Sequence, residues 1–191
     1  LDAEPTSGVP TELRPWDRVL LLQLLSSVLR DTRWSSVRLI AFNLAQERQI
    51  FTDDAFNESG FVPLSRALTN LDLTTIPYQA IEPGAMEHFL VRLTDGSSKG
   101  AVKPLDAVVI IGPVARLNPV NPQVLPRPAG DQKAPLFYFQ YFSHGLSRQH
   151  IPDAIADVTT AWGGTVFNID SPAGLAKAIS KFEAVLNPNK S

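Results

Sequence analysis

Three short apolar runs in the second half of the chain narrow its fold more than anything else in it. They are Ala107-Val108-Val109-Ile110-Ile111, Leu136-Phe137-Tyr138-Phe139-Gln140-Tyr141-Phe142 and Thr165-Val166-Phe167-Asn168-Ile169. Each run is apolar at both odd and even positions, so a strand built from it has two faces to hide. Helices packed on both sides of a sheet meet that need, the situation of a central parallel strand. An amphipathic segment joins the second run to the third, with Ile151, Ile155, Val158 and Trp162 at helical spacing and Gly163-Gly164 to end it. The pattern predicts an α/β fold in which a doubly wound, mostly parallel sheet lies between layers of helix.

The first half extends the pattern. Residues 1–16 are rich in Pro, Gly, Ser and Thr and read as an extended lead-in to a single domain over 17–187. Asp17 is placed to cap a helix carrying Leu20, Leu21, Leu24, Leu25, Val28 and Leu29. The strand Val37–Leu44 is followed within a few residues by Arg48–Phe51, a connection too short for a parallel crossover, so these two form an antiparallel hairpin. Leu64, Ala67, Leu68 and Leu71 mark a short helix, and Pro83 opens another bearing Met86, Phe89, Leu90 and Leu93. Six prolines between 113 and 135 leave room for at most one helical turn; a loop of that length belongs to a binding surface or to inert surface packing. The last helix begins at Asp170-Ser171-Pro172 and buries Leu175, Ile179, Phe182 and Val185 or Leu186.

Composition excludes several functions. The net charge is −2 with no basic run, which argues against nucleic acid as a partner. The longest apolar stretch, Val19–Leu25, is broken by Gln23 and is too short to span a bilayer. With no cysteine, thiolate metal sites, disulfides and cysteine nucleophiles are out. Neither a Gly-x-Gly-x-x-Gly nor a Gly-Lys-Ser/Thr phosphate loop occurs, and no cofactor is expected. The first residue is Leu1 rather than Met, which leaves open either a removed leader or a trimmed piece.

The order of elements, with Ser36-Val37-Arg38-Leu39-Ile40-Ala41-Phe42-Asn43, Asp106-Ala107-Val108-Val109-Ile110-Ile111-Gly112-Pro113 and Gly163-Gly164-Thr165-Val166-Phe167 leading into the final helix, resembles the von Willebrand factor A domain over residues 17–187. It also resembles exported acidobacterial proteins of unknown function related to that domain, which implies a bacterial, periplasmic or extracellular location. The resemblance implies a domain that engages protein partners, in the family through a metal-ion-dependent adhesion site. This chain departs from that site. It has no Asp-x-Ser-x-Ser; Asp95-Gly96-Ser97-Ser98-Lys99 fails at its last position and follows the wrong element. Where the family has Asp-Gly after its fourth strand stands Gly112-Pro113, and only Thr74 or Thr75 matches the family's loop threonine. A hard divalent cation needs carboxylate ligands to offset its dehydration, so no metal is expected. The family's central first strand has no counterpart either, since residues 1–16 hold no apolar run. Its two flanking strands, 37–43 and 107–111, then either pair directly or receive a strand from upstream. The first alternative, favoured for this chain, makes one sheet of about five strands with one antiparallel edge strand.

Ligands of open α/β sheets bind beyond the carboxyl ends of the strands. The candidate binding residues on that rim are Asn43, Thr74, Thr75, Pro113, Ser143, His144, Asp170 and Ser171. The segment 143–153 is the most suggestive cluster of chemistry-bearing side chains. A hydrolase would use Ser143 or Ser147 as nucleophile and His144 or His150 as base, with Asp153 nearby. Ser147 lacks a Gly-x-Ser-x-Gly frame, and the competing reading is a polar loop whose end caps the helix near Pro152. His144, His150 and Asp153 match no recurrent metal-ligand spacing, and His88 reads as the flank of a helix. Gln140, inside an apolar strand, needs a hydrogen-bond partner. The reading favoured over the enzyme is a non-catalytic, metal-independent interaction domain.

Overall fold

The computed structural model describes residues 15–30, 36–43, 48–69, 107–113, 121, 123, 135–141 and 153–186. In chain order the elements are helix α1 (Pro15–Leu29), strands β1 (Leu39–Asn43) and β2 (Arg48–Asp53), a 3-10 turn (Glu58–Gly60), α2 (Phe61–Thr69), β3 (Val108–Pro113), β4 (Leu136–Tyr141), α3 (Ala154–Ala161), β5 (Thr165–Ile169) and α4 (Pro172–Leu186). The helix expected from Pro83, residues 1–14 of the lead-in and nearly all of the Pro-rich stretch lie outside the described residues.

The three apolar runs do form a parallel sheet, in the order β3-β4-β5. Val108 stands opposite Leu136 and Pro113 opposite Tyr141, and Phe137 opposite Thr165 runs on to Tyr141 opposite Ile169. Every residue of β4 is buried, as an apolar run on both faces requires. Phe137, Phe139 and Tyr141 pack with Leu20, Leu24 and Val28 of α1 and with Ala178 and Phe182 of α4. Tyr138 and Gln140, on the opposite face, bond to the residue that starts α3. Edge-on and tilted aromatic contacts fill the first face: Phe137 lies 4.9 Å from Phe182, Phe139 4.8 Å from Phe167 and 5.3 Å from Phe182 between ring centroids.

The hairpin forms as an antiparallel pair, with Leu39 opposite Asp53 and a register shift between Ala41 and Phe42. It does not join the parallel sheet. The expected direct pairing of the 37–43 and 107–111 strands is not made, and the five strands divide into a two-stranded and a three-stranded sheet. A second apolar cluster holds the hairpin: Leu25 of α1, Phe56, and Leu64 and Leu68 of α2 are buried, with Leu39, Ala41, Ile50, Phe51 and Ile111 against them. Helix α1 therefore serves two clusters from two stripes, which explains why its leucines span so wide an arc.

Several boundaries differ from expectation. Helix α1 starts at Pro15, so Asp17 lies inside the helix instead of capping it and residues 15 and 16 leave the lead-in. Proline at a first helical position loses no hydrogen bond and has its φ already set, and that advantage outweighs the cap two residues later. Helix α3 begins at Ala154, one residue past Asp153 and beyond Pro152. In α4 the buried positions are Ala178 and Phe182, while Val185 is 53% exposed. Gly163, at the expected break after α3, has φ +75°, a conformation that costs other residues strain.

Candidate functional site

The carboxyl ends of β3, β4 and β5 form one rim, with Pro113, Tyr141 and Ile169 in register across it. Two carboxylates stand there among the described residues, Asp170 just past β5 and Asp153 at the start of α3. Each is explained by local helix chemistry.

Asp153 is 4% exposed. Its Oδ1 accepts the backbone N–H groups of Ile155 at 2.9 Å and Ala156 at 3.3 Å, two of the donors that a helix start leaves without a partner. Its Oδ2 accepts the Tyr138 hydroxyl at 2.9 Å and the Gln140 side-chain amide at 2.6 Å. Positions 138 and 140 lie two apart on β4 and so share the face toward α3. One carboxylate thus satisfies four donors and bolts the first turn of α3 to the middle strand. Burial and the neighbouring Asp153 carboxylate push the Tyr138 hydroxyl well above the ordinary tyrosine range, so it stays a protonated donor. With donors on both oxygens, the Asp153 carboxylate is engaged in holding α3 to β4.

Asp170 and Ser171 are exposed but also engaged. The Ser171 hydroxyl donates to Asp170 Oδ1 at 2.9 Å and accepts the Gly174 N–H at 3.1 Å, while the Ser171 carbonyl accepts the Leu175 N–H at 2.9 Å. The arrangement caps α4 with Pro172 in its first position, and the Asp170 charge sits at the positive end of the helix dipole. A Cβ on Gly174 would stand 2.9 Å from Asp170 Oδ1, so this residue has to be small for the carboxylate to lie there.

Of the residues expected on the rim, Asn43 ends β1 and Pro113 ends β3. The structure brings Pro113 together with Asp170 and Ser171 at the ends of the parallel strands, and places Asn43 on the separate hairpin. Thr74, Thr75, Ser143, His144, Ser147 and His150 lie outside the described residues. The contact of Tyr138 and Gln140 with Asp153 is not evident from the sequence as a unit. Its signal is there, however: Tyr138 and Gln140 put polar atoms two residues apart on one face of an apolar strand, and an aspartate stands next to a helix start. Among the described residues no three His, Asp or Glu side chains are grouped to share a metal ion, and no helix is long and apolar enough to cross a membrane.

Compared with models of known protein families, with characterised proteins and with solved structures, the chain matches none.

Proposed function

We propose that this chain is a protein-interaction module of von Willebrand A-like, three-layer doubly wound architecture, exported from a bacterial cell, that engages its partner along the rim of β3, β4 and β5 without a bound metal. The observation carrying this reading is the employment of the two rim carboxylates. Asp153 is buried under four donors, and Asp170 is tied to Ser171 over Gly174. Used in this way, Asp153 ties the start of α3 to β4, and Asp170 braces the cap of α4. Helices on both faces of the parallel sheet support the three-layer part of the proposal. Fold analogy contributes the interaction role, and by itself it carries little functional weight.

The test is chemical cross-linking of the chain to proteins of a bacterial cell envelope, repeated with Gly112→Arg. A Cβ at Gly112 meets nothing within 4 Å, so a side chain can start there, and the arginine adds bulk one residue from the end of β3. The expected result is a specific cross-linked partner that survives a metal chelator and is lost in G112R. Turnover of an ester or peptide substrate that disappears in His144→Ala would overturn the proposal in favour of a hydrolase, and loss of the partner on chelation would overturn its metal independence.

A further inference from the structure

We draw no further inference here: the strongest candidate, the row of Gly112, Gln140 and Asn168 in register across the carboxyl rim of β3, β4 and β5, belongs to the site already described, its Gln140 side-chain amide being engaged by Asp153.

Discussion

The parallel sheet and the hairpin are built from similar residues but are buried to different depths. Strand β4 has a partner on each edge and packed residues on each face, and all six of its residues are buried. Among the described residues strand β1 has one strand partner, and Leu39, Ile40 and Ala41 remain half-buried although all three are apolar. Burial here follows position in the sheet, not residue type. The difference also separates two kinds of stability, one resting on aromatic packing in a closed layer and one on a two-stranded ladder leaning against α1 and α2, a unit that is marginal by itself.

The strongest way to break this contrast is to truncate one phenylalanine in each region. Phe139 is fully buried between Phe167 and Phe182, and Phe139→Ala should cost about 3–5 kcal/mol, through lost transfer energy and a cavity the neighbours cannot fill. Phe51, half-buried on β2 with its ring 6.3 Å from Phe56, should cost about half as much when cut to alanine. Urea unfolding of both variants measures this. Equal losses would show that the hairpin is packed as firmly as the sheet.

Next in size is the bolt between β4 and α3. Asp153→Ala removes a helix cap and strands two buried donors, Tyr138 Oη and Gln140 Nε2, for an expected loss of about 2–4 kcal/mol. Asp153→Asn retains an acceptor for the cap and should lose clearly less. The hairpin side offers the control: Asn57 accepts from the Ser59 N–H at 2.9 Å in an exposed 3-10 turn, and Asn57→Ala should cost about 1 kcal/mol or less. Thermal unfolding of the three variants ranks them, and a ranking with Asn57 first would sink the claim that the buried cap matters more.

Tyr138 gives the same bolt a pH signature. Its hydroxyl is held well above the usual value near 10 by burial and by Asp153, so the folded state keeps a proton that the unfolded chain releases. The sign follows: this contribution is complete below about pH 10 and is lost as the pH climbs from there toward the raised folded-state value. Urea midpoints measured from about pH 9 upward should fall, and Tyr138→Phe should flatten that fall while costing about 1 kcal/mol at neutral pH. An alkaline decline unchanged in Y138F would assign the effect to other groups.

How much of this can be read from the sequence depends on how local each signal is. Strand β5 and the start of α4 are legible because Gly163-Gly164 and Asp170-Ser171-Pro172 act within a few residues of themselves. The start of α1 is not, because Pro15 and Asp17 propose rival beginnings and only the folded chain arbitrates. Val185 and Leu186 both read as able to follow Phe182 in the stripe; Val185 proves exposed, and Ala178 is buried further in beside the half-buried Leu175. The division into two sheets is illegible for a deeper reason. A strand pattern reports that an edge exists and says nothing of which edges meet across tens of residues. On the candidate site the cap at Ser171 is local and readable in advance, whereas the meeting of Gln140 with Asp153 crosses thirteen residues and shows in the sequence only as a need for some partner.

The smallest effect probes a flaw inside the well-packed region. Thr159, on the buried side of α3, is 1% exposed, and among the described residues its hydroxyl oxygen has no hydrogen-bond partner. Its methyl group would lie 2.8 Å from a Cβ at Gly164, so the residue is held tightly where α3 turns into β5. A buried hydroxyl without a partner costs free energy that an apolar isostere recovers, and Thr159→Val keeps the shape while removing the polar atom. The variant should be neutral or stabilised by up to about 1 kcal/mol, read as a small upward shift of the urea midpoint with an unchanged slope. A loss of stability on that substitution would mean that the hydroxyl does have a partner in solution, and the parallel half of the molecule would then contain a second polar anchor beside Asp153.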